Sequence, residues 1–178
     1  MKMRYALGLV LLLVGWQPAQ AQMLSADIAV STVPTIQAAQ YVSGNAVGTL
    51  QKIAAFRSDT QPSGILRSIM VAWKGTEITA LTFYVFDTNP TASTCTDKTA
   101  FSLAAADIPK LAIAPFVLTA AAPTVGTTST FASSTFAALS VKNQDATPTV
   151  NLYVCVVSGG TFTPAVGDLT FKTALSQD

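Results

Sequence analysis

The chain predicts an all-β protein, a small antiparallel β-sandwich, from three observations. Leu81 to Phe86 alternates with large apolar groups on both faces: Leu81, Phe83 and Val85 point one way and Thr82, Tyr84 and Phe86 the other, because side chains of a strand repeat with a period of two. Such a strand is central, covered on each side. Leu169 to Leu175 shows the half-buried pattern instead, with Leu169, Phe171 and Leu175 on one face and Thr170, Lys172 and Ala174 opposite. Finally, seven or eight short strands are separated by turn signals roughly every ten residues, the rhythm of two sheets that bury one face against each other. A jelly-roll or open barrel is the structural alternative.

The chain of 178 residues suits one domain, long enough for a substantial core but not for two. Residues 1–21 stand apart. Lys2 and Arg4 form a basic start, Ala6 to Val14 an apolar run, and Ala19-Gln20-Ala21 a small-residue cleavage pattern, which together predict a signal peptide. The apolar run is far shorter than the roughly 20 residues that cross a bilayer, so a membrane anchor is disfavoured and no stable membrane insertion is expected after leader removal. Residues 22–40, rich in Ala, Gln, Ser and Thr with Pro34, predict an extended N-terminal arm that crosses a neighbour or lies along the domain edge. Residues 41–178 then form the single β-sandwich domain.

Tyr41 to Leu50 is the first expected strand, broken by Gly44 and Gly48, and the polar turn Ser58 to Gly64 follows. Ile65 to Trp73 is a clearer one, with Ile65, Ile69, Val71 and Trp73 sharing a parity that also includes Arg67. Lys74-Gly75-Thr76-Glu77 makes a compact hairpin connection into Ile78 to Phe86. Asp87, Asn89 and Pro90 stop that strand, the acid and amide through local bonds to backbone N–H groups and the proline through its fixed φ and missing donor. A polar turn continues to Asp97. One short helical turn is expected near 102–110, with Asp107 as its cap and Pro109 in its first turn.

Leu111 to Leu118 predicts a strand with Pro115 at an edge or bulge. The Ala/Thr/Ser-rich run 119–135 is expected as an exposed hairpin, Phe136 to Val141 as a weak strand, Lys142 to Pro148 as a turn and Thr149 to Val157 as a strong strand. Breaks at Ser158-Gly159-Gly160 and Pro164 to Asp168 lead into the closing strand.

Composition excludes several functions. The chain has 10 basic and 9 acidic side chains; losing Lys2 and Arg4 with the leader leaves eight basic ones and a formal charge of −1. Without a basic cluster it lacks the electrostatic footprint of a nucleic-acid binder. Its polar surface of Thr, Ser, Ala and Gln suits packing against copies of itself or other structural proteins. There is no histidine, which removes the commonest general base and metal ligand near neutral pH. Asp87, Asp97 and Asp107 sit among Asn, Pro, Thr and Ser, a setting of turn-forming acids rather than of a catalytic carboxylate pair. The spacing Asp87-x-Asn89 superficially matches part of a calcium loop but lacks the regular ligand series, the central glycine and the closing glutamate. No GxSxG elbow and no phosphate loop occur. Trp73, Tyr84 and Tyr153 lie in apolar strands and belong to core or protein interface more simply than to a ligand platform. The expectation is therefore a non-enzymatic protein with no cofactor and no metal.

Cys95 and Cys155 are the only cysteines. In an exported chain, an even count of two permits one disulfide; the alternative is two isolated thiols, with Cys155 filling an interior site of its strand. A redox role is disfavoured, since no CxxC pair exists.

A family resemblance adds to this. Ser68 to Trp73, the hairpin into Leu81-Thr82-Phe83-Tyr84-Val85-Phe86-Asp87, then Asn89-Pro90-Thr91, Ser93-Thr94, Thr96-Asp97 and Ala100-Phe101 resemble small structural proteins of tailed-phage and prophage virion modules. Asn151-Leu152-Tyr153-Val154 and Asp168-Leu169-Thr170-Phe171 are similar too, so the likeness covers roughly residues 42–175. It implies a β-sandwich capsid-associated or other virion component, without catalysis or cofactor, working through protein surfaces. Two features depart from that family: the secretory-looking leader, although phage particles usually assemble in the cytoplasm, and cysteines at 95 and 155 where other residues are expected. Together they imply the alternative of an exported bacterial surface or extracellular filament subunit with a virion-like fold, in which residues 22–40 complete a neighbour's sheet by strand addition.

Overall fold

The structure, a computed structural model, describes residues 27–54, 63–74, 79–119, 130–142 and 151–177. The leader over 1–21, the hairpin connection Gly75–Glu77, most of the run 119–129 and the turn 143–148 lie outside the described residues. Among the described residues eight strands run in chain order: β1 (Asp27–Thr32), β2 (Gln51–Ala54), β3 (Ser63–Trp73), β4 (Leu81–Phe86), β5 (Phe116–Leu118), β6 (Thr130–Lys142), β7 (Asn151–Ser158) and β8 (Leu169–Gln177). They form two four-stranded antiparallel sheets, ordered β1-β8-β3-β6 and β2-β7-β4-β5. One 3-10 turn, Ala105–Lys110, is the helical turn expected there. The all-β, two-sheet architecture matches the sandwich expectation.

The two sheets bury their facing side chains between them. Ile69, Val71 and Trp73 of β3 and Leu169, Phe171 and Leu175 of β8 meet Leu81, Phe83 and Val85 of β4 and Leu152, Val154 and Val156 of β7. Phe83 crosses the gap, its ring edge-on to Phe171 at 5.8 Å and stacked on Phe116 at 5.4 Å. Each such buried side chain contributes roughly 1.5–3 kcal/mol, which makes this layer the main source of stability. Tyr41 and Phe162 close one end, stacked at 5.1 Å, with Trp73 edge-on to Phe162 at 4.9 Å.

Several expectations need correction. The parity of β3 is interrupted: Leu66 is buried, Arg67 is exposed and Ile65 only half-buried. The register against β8 steps from Leu66↔Leu175 to Ser68↔Ala174, so Arg67 is the extra residue of a β-bulge. That bulge flips the faces. Leu66, not Ile65, therefore shares the core face with Ile69. The predicted first strand 41–50 is split. Val47 and Asn45 bond to the C-terminal half of β7, through Val47 N to Val156 O at 2.8 Å and Ser158 N to Asn45 O at 2.8 Å. The chain then leaves at Gly48 and returns as β2 against the other half. Residues 130–142 form one long strand, so the last part of the expected hairpin 119–135 and the weak strand 136–141 are a single element. Pro115 precedes β5 instead of lying in it.

The N-terminal arm is also partly resolved into sheet. Residues 27–32 are β1, paired along their whole length with β8 of the same protomer from Asp27↔Ser176 to Thr32↔Phe171. The arm lies along the domain edge, as one of the two expected paths.

Gly48 is fixed by two constraints at once. Its φ is +77°, and a Cβ there would come within 2.9 Å of Pro34 Cβ and 3.3 Å of Gln51 Nε2. Pro34 is buried and rigid, so it cannot yield. Gly44 has φ of +87° but nothing within 4 Å of a built Cβ. Gly48→Ala is expected to destabilise by about 2 kcal/mol, from the left-handed backbone and the clash together, against about 1 kcal/mol for Gly44→Ala from the backbone alone. Urea denaturation of the two variants checks the difference.

Candidate functional site

The second sheet is covered on both faces, as the pattern of β4 predicts. Its inner face meets the first sheet, and its outer face carries Phe86, Tyr153, Cys155 and Val157 in a separate buried cluster. Tyr84, Cys95, Phe101, Leu103 and Leu111 pack against that cluster. Tyr84 and Phe101 approach to 4.4 Å between ring centroids. The covering layer is a cap built from residues 41–50 and 93–111. Backbone bonds knit its parts: Ala46 N to Thr99 O at 2.8 Å, Phe101 N to Gly44 O at 2.9 Å and Thr94 N to Ser102 O at 3.0 Å. A disulfide between Cys95 and Cys155 fastens the cap to β7. The two cysteines are bonded, and Cys155 is also an interior residue.

All of the turn residues singled out in the sequence lie in or beside this cap. Asp97 is its first node. Its Oδ1 accepts from Tyr41 Oη at 2.6 Å and Gly48 N at 2.7 Å, while Oδ2 accepts from Gln37 N at 3.1 Å. Asp97 was expected to serve a local turn; it instead joins segments up to 60 residues away. Burial pushes the Tyr41 phenol well above its ordinary range, and its hydrogen bond to Asp97 adds to the effect. Lys98, next in sequence, has φ of 62° and sends its N–H to Ala46 O at 2.9 Å.

Asp107 is the second node, and its role also differs from expectation. The residue capping the 3-10 turn is Ala104, with no side-chain cap, and Asp107 lies inside the first turn. Its Oδ2 accepts from Ala92 N at 2.9 Å, Ser93 N at 2.6 Å and Ser93 Oγ at 2.7 Å. Lys110 Nζ stands 2.8 Å from Oδ1. The buried carboxylate thus organises the chain around Ser93 instead of capping its own turn.

Asp87, Asn89 and Pro90 link the end of β4 to the same region. Asp87 N donates to Lys110 O at 3.0 Å, and its carboxylate accepts from Thr88 Oγ1 at 2.9 Å. The Asn89 carbonyl accepts from Lys110 Nζ at 2.9 Å, and Pro90 is buried. Ser93 entered only through the family resemblance, and no role was assigned from sequence to Tyr41 or Lys110. Only the Asp107-x-x-Lys110 spacing carried a signal, since residues three apart face each other across a helical turn.

Burial alone would raise the Asp107 carboxyl. The Lys110 ammonium, the Ser93 hydroxyl and the Ser93 and Ala92 amides outweigh that and hold it at about 2, below the ordinary 3.8. A carboxyl depressed by folding stabilises the native state above its unfolded value and loses that contribution as pH falls toward the folded one. The expected result is a fall in the urea midpoint between about pH 4 and pH 2. Asp107→Asn, which cannot titrate, is expected to start less stable at neutral pH and to show a shallower fall across that window.

Among the described residues, no three or more His, Cys, Asp or Glu side chains are grouped where they could hold a metal ion. No helix among them is long and apolar enough to cross a membrane. Compared with known proteins, the chain matches no protein-family model and no curated sequence.

Proposed function

We propose that the protein is a non-enzymatic structural component of a virion, capsid-associated or elsewhere in the particle, acting through protein–protein contacts. One observation carries this reading. The stretch of the resemblance that follows β4, from Asn89 to Phe101, lies in or beside the cap, and its acid Asp97, with Asp87 at the end of β4, holds backbone and hydroxyl donors of the same chain. A motif that organises architecture in this way suits a protein whose work is its shape. Peptide mass spectrometry of purified particles tests the reading. Recovery of the protein in fixed ratio to the other particle proteins supports it; absence from particles with recovery only from the cell envelope overturns it.

The disulfide favours a second reading. A bond such as Cys95–Cys155 persists most readily outside a reducing cytoplasm, which suits an exported surface or filament subunit of the same fold. The intact mass of native protein under nonreducing conditions separates the two. A mature chain lacking residues 1–21 and two mass units light for the disulfide supports export, and a reduced chain that retains Met1 argues against it.

A further inference from the structure

We infer that β1 is a self-association strand, whose open edge pairs antiparallel with β1 of a second copy about a two-fold axis at Ala29 and joins two four-stranded sheets into one. Among the described residues β1 pairs with β8 alone, so its other edge presents backbone N–H and C=O groups that no strand takes up. Such an edge is a template for another strand.

The other three sheet edges are guarded against pairing of this kind, and β1 is not. β2 is four residues long with Lys52 exposed on it, and β5 is three residues long directly after Pro115. The ladder of β6 is broken: Ser68↔Thr135 is followed by Leu66↔Leu139, so Phe136, Ala137 and Ala138 stand opposite Arg67 alone. Shortness, charge, proline and bulges are the devices that keep edges from pairing. β1 keeps an unbroken register over six residues, from Asp27↔Ser176 to Thr32↔Phe171, with its one charged residue at the end.

The placement of charge is a second observation, and it selects both the partner and the register. Ala29 and Ser31 are exposed while Val30 between them packs on the core, and position 27 falls on the outward side with them by the strand period. Two copies continue one sheet only if outward residues meet outward residues, which sets the axis on a residue. With the axis at Ala29, the two alanines face each other and Asp27 stands opposite Ser31 of the second copy. Ser31 is in turn paired with Lys172 of β8, which is exposed. The acid of one copy therefore lies two strand spacings, roughly 10 Å between backbones, from the lysine of the other, with only a serine between them. Symmetry makes this contact twice. An axis at Val30 would put Asp27 opposite Val33, and parallel in-register pairing would set acid against acid. The strand is thus self-complementary in charge, which identifies a second copy of this chain as the occupant. The inference goes beyond the proposed function and applies to a particle component and to an exported subunit alike.

Sedimentation equilibrium of the oxidised protein is expected to show monomer and dimer in exchange. Ala29→Lys sets two ammonium groups against each other on the axis and is expected to abolish the dimer, with a circular dichroism spectrum like that of wild type because residue 29 is exposed. Asp27→Lys and Lys172→Asp are each expected to weaken dimerisation by about tenfold, since both symmetric contacts are lost together. The double variant Asp27→Lys/Lys172→Asp is expected to restore it. On nonreducing gels Ala29→Cys is expected to give a crosslinked dimer, and Ser31→Cys, which lies opposite residue 27, is expected to give none. A wild type that stays monomeric at every concentration overturns the inference in favour of a strand from another protein. A dimer that Ala29→Lys leaves intact, a charge reversal that the swap does not restore, or equal crosslinking by the two cysteine variants overturns it as well.

Discussion

Replacing Cys95 and Cys155 together by serine is expected to lower stability by up to about 4 kcal/mol, the loop-closure value for a crosslink across 60 residues. For a chain of this size that corresponds to a fall in melting temperature on the order of 10 °C. The magnitude follows from where the bond sits. Cys155 is fully buried in β7 and Cys95 stands on the cap, so the bond joins the layer with the least apolar packing to the sheet with the most. Without it the cap is held by the two aspartate nodes, the small aromatic cluster and a few backbone bonds such as Leu50 N to Cys95 O at 3.2 Å. Loss of structure is therefore expected to be local before it is global. Hydrogen exchange on the serine variant should show faster exchange at the amides of residues 94–102, with those of β3, β4 and β8 retaining protection at low denaturant. A loss below about 1 kcal/mol, or uniform loss of protection, would show that the cap packs as firmly as the core.

The same contrast explains what the sequence could reveal. The strands β4, β7 and β8 were legible because their side chains obey a local period of two, and the two-faced apolar pattern of β4 announced a layer on each side. That pattern held: Leu81, Phe83 and Val85 enter the main core, and Tyr84 and Phe86 the cap cluster. The face reversal at Arg67 was not legible, because a bulge is imposed by register against β8 and leaves no composition signal of its own. β1 was hidden for a related reason. Its alternation is short, Ile28 and Val30 against Ala29 and Ser31 inside an Ala/Gln/Ser/Thr-rich run, and its pairing depends on the ladder offered by β8. The acids were expected to serve their own turns, and the partners of Asp97 and Asp107 lie elsewhere. Asp97 meets Tyr41 across 56 positions, and no local rule connects an aspartate in a turn to a tyrosine in another segment.

Asp97→Ala is expected to destabilise by about 3 kcal/mol, because it leaves the buried Tyr41 O–H and the Gly48 amide without their acceptor, while the Gln37 amide keeps the Tyr41 hydroxyl as its acceptor at 3.0 Å. The phenol weighs most. Tyr41 has no exposed surface, its ring is stacked on Phe162, and its hydroxyl has Asp97 Oδ1 2.6 Å away as acceptor. Asp97→Asn is expected to lose only about 1 kcal/mol, since an amide oxygen can still accept from Tyr41 and Gly48, through neutral hydrogen bonds instead of charge-assisted ones. Tyr41→Phe removes the stranded donor, so Asp97→Ala in that background should lose clearly less than it does in wild type. Urea midpoints for the four proteins of the cycle give the coupling, expected at about 1–2 kcal/mol. If Asp97 were held for a ligand and not for the cap, the alanine and asparagine variants would be nearly equal in stability and the coupling to Tyr41 close to zero. The geometry argues for the opposite order, in which the acid's position in the motif is required by a tyrosine that enters the domain 56 residues earlier.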